Sequence, residues 1–167
     1  MSTLFGAFLI AYLLLRRNAP SWPPPGAPVP PQGLWISTLV IALSSATLVR
    51  AARANRTPGA TDLTRWLHAT LALGVLFLVV QAILWRDVFA HGRSTASDAY
   101  GTIFYSLTGL HAAHVIGGLV FLARTSSRAR AAPHAAGTRL AVSLCGMYWH
   151  YMGAVWLVLF AVLYFLN

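Results

Sequence analysis

The chain alternates between long apolar blocks and short polar connections. Five blocks stand out, at residues 4–15, 33–52, 63–89, 97–123 and 138–166. Within them hydrophobic residues are nearly continuous, without the alternation of a half-buried strand or the single stripe of a surface helix. Crossing the hydrocarbon core of a bilayer takes about 20 apolar residues. The last four blocks meet that length alone, and the first approaches it with the residues that flank it. In lipid only helices and closed barrels satisfy every backbone N–H and C=O internally. The pattern therefore predicts an all-α integral membrane bundle of five transmembrane helices, at residues 2–16, 33–52, 63–89, 98–123 and 138–166, forming one membrane domain over 1–167.

The connections carry their own signals. Seven of the nine prolines fall in residues 17–32. Proline lacks an N–H and fixes φ, so this stretch is predicted as an extended or turning loop. The first block competes with a signal-peptide reading, which requires positive charge before the apolar stretch and small residues after it. Arg16 and Arg17 instead follow the stretch, and Trp22 with Pro23–Pro25 comes next, so the block is read as a retained helix. Ser97 and Asp98 precede the fourth block, where a carboxylate satisfies orphan N–H groups as an N-cap.

Composition agrees with lipid as the solvent. The chain is 57% hydrophobic and 9% charged, against about a quarter charged in soluble domains. The formal charge of +9 would suit a nucleic-acid binder, but all twelve basic residues are Arg and sit at the ends of apolar blocks. That placement marks topology determinants rather than a nucleic-acid face. Arg50, Arg53, Arg56, Arg65, Arg124, Arg128, Arg130 and Arg139 fall on one side, and Arg16, Arg17, Arg86 and Arg93 on the other. The positive-inside rule then puts the richer side in the cytoplasm of a bacterial inner membrane, with the N-terminus cytoplasmic and the C-terminus outside. The single Cys145 excludes an internal disulfide.

The candidate chemistry lies in polar side chains within apolar blocks. His111 and His114, three apart, share one helical face. His150 lies in the last block, beside Trp149 and two turns from Trp156; His68 opens the third. Membrane histidines either bond to neighbouring helices, backbone carbonyls and lipid headgroups or ligate a metal or heme. With three carboxylates in the whole chain, Asp62, Asp87 and Asp98, all in or beside loops, a metal site of three or four ligands has little to draw on. No acid stands mid-membrane for proton transfer, and neither a phosphate-binding glycine loop nor a nucleophile elbow appears. The residues put forward are His111, His114, Trp149, His150 and Trp156, for helix–helix hydrogen bonding and lipid-headgroup contact, with no catalytic residue, metal or cofactor assigned to this chain. A b-type membrane cytochrome using His68, His111, His114 or His150 is the alternative. A small transporter would show inverted repeats or broken helices, and neither is evident.

Two segments resemble subunit III of the heme-copper respiratory oxidases. Thr108-Gly109-Leu110-His111-Ala112-Ala113-His114-Val115-Ile116-Gly117-Gly118 resembles the family's T-G-x-H-x-x-H-V-x-x-G. Tyr148-Trp149-His150-Tyr151, followed by Val155-Trp156-Leu157, resembles its Y-W-H-aromatic-x-x-x-V-W-L. Trp22-Pro23-Pro24-Pro25-Gly26 looks like the W-P-P connection, and Gln81-Ala82 like the L-Q stretch. The likeness begins at the family's third helix, so the chain resembles the five-helix form, found among quinol-oxidase subunits and partners of nitric-oxide reductases. Three acidic positions of the family differ: its third-helix Glu falls before Met1, the Glu after the Gln is Leu84, and the Asp of W-H-x-x-D is Gly153. The resemblance implies a non-catalytic accessory subunit of a cytochrome c or quinol oxidase complex, without a proton-handling role. It would contact subunit I directly, share the complex with subunit II, bind phospholipid and join a respiratory supercomplex. The hemes and copper would reside in the partner subunits. The nearest rival within the resemblance is a subunit III-like partner of a nitric-oxide reductase.

Overall fold

The computed structural model describes residues 2–18, 33–56, 62–90, 99–133 and 135–165, with side chains described for all but 2, 4, 88–90 and 99–104. Five helices occupy them: α1 (Ser2–Asn18), α2 (Gly33–Ala54), α3 (Leu63–Ala90), α4 (Ala99–Ala131) and α5 (Ala136–Phe165). No strand occurs among the described residues. The protein is an all-α, multi-pass membrane protein. Helices α2 to α5 are each long and apolar enough to cross a bilayer, whereas α1, with 17 residues, is short for the task.

The helix ends follow local chemistry rather than hydrophobicity. Helix α1 runs two residues past its predicted end, through Arg17 and Asn18, which removes those two from the predicted 17–32 loop. Arg16 and Arg17 in its last turn favour the negative end of the helix dipole. The largest difference is in α4, which continues eight residues beyond the predicted end at 123. Apolarity stops at Ala123, but Ala and Arg are strong helix formers, and Thr125, Ser126 and Ala129 are buried against the bundle. Thr125 Oγ1 donates to the Phe121 carbonyl and Ser127 Oγ to that of Ala123, at 2.9 and 3.1 Å. The helix stops before Pro133, and Thr138 Oγ1 donates to the Ala132 carbonyl at 2.8 Å, tying the turn to α5. The Trp22–Gly26 motif, Arg93 and the Ser97/Asp98 cap lie outside the described residues.

Helices α2, α3, α4 and α5 form a closed ring in which each packs on the next and α5 returns to α2. Helix α1 stands outside the ring; among the described residues its backbone approaches only α4. The ring's interior is one continuous core that includes Leu48, Leu67, Phe77, Leu122, Trp149 and Trp156. Leu39, Val75, Leu140 and Leu157 point outward, about half to three-fifths exposed. Such a surface would aggregate in water and is the expected one against acyl chains.

Trp149 sits where α3, α4 and α5 meet, and two glycines make room for it. A Cβ on Gly74 of α3 would lie 2.7 Å from the Trp149 indole and 2.7 Å from Leu119. A Cβ on Gly118 of α4 would lie 2.9 Å from Tyr148 and 3.1 Å from Trp149. Small residues at such crossings let membrane helices approach closely. Gly74→Ala is therefore expected to destabilise the bundle by about 1–3 kcal/mol through overpacking. Gly146→Ala, where nothing lies within 4 Å, should leave stability unchanged or raised; thermal melting of the two variants beside the parent checks the contrast.

Candidate functional site

The polar side chains inside the ring are spent mainly on other helices. The buried face of α2 repeats at three- and four-residue steps: Leu34, Ser37, Val40, Ile41, Ser44, Leu48 and Ala51. On α5, Trp149 and Trp156 are seven residues apart, two turns along one face, and both are fully buried. The two helices run antiparallel, so the pairs fall in register. The Trp149 indole N–H donates to Ser44 Oγ at 3.1 Å, and Ser44 donates onward to the Thr70 carbonyl of α3 at 3.3 Å. The Trp156 indole N–H donates to Thr38 Oγ1 at 3.1 Å, and Thr38 donates to the Leu34 carbonyl at 2.9 Å. Each tryptophan thus feeds a hydroxyl that feeds a carbonyl, and every donor in both chains is used.

Further rungs join α2 to α3. Ser37 Oγ donates to Gln81 Oε1 at 3.3 Å with both residues buried, and the hydroxyls of Thr47 and Thr70 lie 2.9 Å apart. Tyr148 OH donates to the His114 carbonyl at 2.9 Å, joining α5 to α4. At the Arg-rich end, Nη2 of Arg130 on α4 lies 2.8 Å from His68 Nε2 on α3, and Ser126 Oγ lies 3.0 Å from the same nitrogen. A guanidinium can only donate, so Nε2 accepts and the His68 proton sits on Nδ1. Arg50 of α2 stacks over Trp66 of α3 at 4.8 Å.

The predicted site residues separate into distinct environments. Trp149 and Trp156 are the interhelical donors just described. His111 is buried, with ring centroids of Trp156, Phe77 and Phe5 at 5.3, 5.9 and 6.3 Å. Neither of its ring nitrogens has a hydrogen-bond partner among the described residues. His114, half-buried, lies 2.7 Å from the Leu110 carbonyl through Nδ1, which carries the proton because a carbonyl only accepts; the bond stays within α4. Phe5 of α1 packs on both histidines, 5.4 Å from His114. His150 is exposed, on the rim of a cleft of about 340 Å³ between α2 and α5 that Ser45 and Gly153 also line. A Cβ on Gly153 would lie 3.5 Å from Ser45 Oγ. Among the described residues no three His, Cys, Asp or Glu side chains converge as a metal site would require.

The hydroxyl and amide partners were not singled out from sequence. Of them only Gln81 enters there, as part of a motif. A usable signal exists: Ser37, Ser44 and Ala51 repeat every seven residues along the buried face of α2, as Trp149 and Trp156 do along α5, the period of helices packed along a seam, although Trp156 reaches Thr38, one position off that repeat.

The fold and its network define a polytopic helical membrane protein whose interior polar groups lock helix to helix. The chain belongs to the cytochrome c oxidase subunit III family: the family model of that description matches residues 2–167. A probable cytochrome c oxidase subunit 3 of Mycobacterium tuberculosis (strain ATCC 25618 / H37Rv) is 34% identical over 165 residues, covering 97% of this chain and 80% of that protein. Cytochrome c oxidase subunit 3 of Synechocystis sp. is 30% identical, covering 99% of this chain and 70% of the relative. That of Thermostichus vulcanus is 30% identical, covering 99% and 82%. The chain is thus a subunit III of a heme-copper oxidase and acts in complex with other oxidase subunits.

The network makes two opposed forecasts. Trp149→Phe keeps one aromatic ring but removes the fused pyrrole with its N–H donor, and should cost about 1–2 kcal/mol of bundle stability, against about 3–5 kcal/mol for Trp149→Ala. His111→Leu replaces a buried imidazole with no partner by an apolar side chain of similar size, and should leave stability unchanged or raise it. Melting temperatures of the purified complex carrying each variant check both.

Proposed function

We propose that the chain is the non-catalytic accessory subunit of a heme-copper terminal oxidase, holding the oxygen-reducing subunit I stable and organising phospholipid beside it. In this reading the hemes and copper belong to the partner subunits, subunit I is the direct contact and subunit II shares the complex. The protein sits in a bacterial inner membrane with the N-terminus cytoplasmic, as the eight-to-four Arg distribution favours. The observation that carries the reading is where the polar side chains go. Trp149 and Trp156 bond to α2, Tyr148 bonds to α4, and His111 is sealed among aromatic rings. None is gathered around a space where a substrate would react.

The lipid role is supported by the gap between α1 and α5. Because α1 packs on α4, an apolar cleft of about 300 Å³ opens between α1 and α5, lined by Phe5, Leu9, Tyr151, Val155, Val158 and Leu159 among others. Its walls suit acyl chains, and His150 and Tyr151, exposed at the middle of α5, stand at acyl-chain depth.

The deciding experiment is a mild-detergent pull-down of the tagged chain from native membranes, with mass spectrometry of what co-purifies and optical difference spectra of complex and separated chain. A large heme-copper subunit in the eluate, with no Soret band in the separated chain, is the expected result. A nitric-oxide reductase subunit would reassign the partner. A Soret band in the lone chain would make it a b-type cytochrome. His150→Leu is expected to lower the yield of assembled complex more than its turnover, read by heme content and oxygen consumption.

A further inference from the structure

One outward-facing side chain near mid-span stands apart from the apolar residues around the bundle. On α3, Val75, Leu76 and Val79 point outward and suit acyl chains. His150 also points outward, yet it stands fourteen residues from the start of α5 and fifteen from its end. At about 1.5 Å per residue that is roughly 20 Å from either end. The hydrocarbon core reaches about 15 Å to each side of its midplane. From the middle of that slab an imidazole is too short to reach the headgroups as Lys or Arg would.

A second polar group stands beside it. Ser45 of α2, half-buried, lines the same cleft of about 340 Å³ as His150. It lies twelve residues from the start of α2 and nine from its end, so it too is near mid-span. No hydrogen bond links either side chain to another described residue. Trp149 and Trp156, on the same helix as His150, are by contrast satisfied within the bundle. The rest of the cleft includes Ala42, Gly153 and Ala154. Residues of that size let a neighbouring membrane helix approach closely.

Acyl chains offer neither a donor nor an acceptor, so lipid in this cleft would leave both polar groups unsatisfied at a cost. Ionisable side chains within a membrane are ordinarily turned toward protein. The chain acts in complex with other oxidase subunits, whose helices are its neighbours in the bilayer. We propose that the face between α2 and α5 is the docking surface for a transmembrane helix of another oxidase subunit. That helix packs over Ala42 and Ala154 and presents a hydrogen-bonding side chain to His150 and Ser45 at mid-bilayer depth. The face of α3 that carries Val75 and Val79 is then left to lipid. The inference rests on the accessory-subunit reading above, to which it adds the face turned toward the partner and the chemistry of the contact.

The test is photo-cross-linking of the tagged full chain in native membranes, with p-benzoyl-phenylalanine placed at Leu157, on the rim of the cleft, or at Val79 of α3. Mild-detergent purification and mass spectrometry of the adducts follow. The probe at 157 should capture a membrane segment of another oxidase subunit, and the probe at 79 should not. His150→Leu should speed loss of the chain from the purified complex about three- to tenfold, the usual strength of one interhelical hydrogen bond in a membrane. His150→Gln keeps a donor and an acceptor and should restore most of that retention. Adducts from 157 with lipid alone, in a complex that still co-purifies, would overturn the docking surface and leave the accessory-subunit reading standing. The same subunit captured equally from 157 and 79, or equal loss rates for the parent and His150→Leu, would overturn it too. Capture of a second copy of this chain would replace it with self-association. If no oxidase subunit co-purifies with the parent, both readings fall.

Discussion

The Trp149 indole, buried at the centre of the ring and bonded to Ser44, which passes the bond on to the Thr70 carbonyl, is the contact around which the rest of the bundle is arranged. It involves three of the four ring helices in two bonds. In a bilayer the lipid tails are as apolar as leucine, so hydrophobicity does not draw one helix to another. Close packing and interhelical hydrogen bonds must do so. The glycines at 74 and 118 let the Trp149 ring into the centre, and the hydroxyls of α2 give it and Trp156 somewhere to donate. Shape and polarity are therefore solved by the same two side chains.

The fold was legible in sequence because its physics is one-dimensional. Apolar length alone separates a membrane helix from a connection, so the four long helices could be placed from hydrophobic runs. What hydrophobicity does not encode is where a helix stops once it leaves the apolar slab. Residues 124–131 are polar in composition yet helical, held by the propensity of Ala and Arg and by the burial of Thr125, Ser126 and Ala129. Nor does it reveal that four helices close on each other while the first stands apart, since that depends on contacts between residues as distant as 44 and 149.

The surroundings of the candidate residues are unevenly legible for the same reason. Trp149 and Trp156 combine size with one donor, so burial forces a partner and the role follows from residue type. A histidine in the same setting has two nitrogens and several ways to be accommodated. His114 satisfies one within its own helix, His68 accepts from a guanidinium, His150 faces outward, and His111 is surrounded by rings without a partner. Sequence spacing put His111 and His114 on neighbouring positions of one face and could not tell their fates apart. The serines and threonines that complete the network are common residues in any helix, and their role appears only when the facing tryptophans are in place.

The ring closes through α5, synthesised after the three helices it joins, and this imposes an order on biogenesis. Until Trp149 and Trp156 enter the membrane, Ser44 and Thr38 lack the donors that later bond to them, and the face of α2 that meets α5 is open to lipid. Helices α2, α3 and α4 can pair in sequence as they emerge, but they form an unsealed arc. Final insertion of α5 converts that arc into a closed ring in one step. A ribosome that stalls or terminates before residue 149 therefore leaves a membrane intermediate with unfilled polar notches, the kind of surface that quality-control proteases recognise in a bilayer.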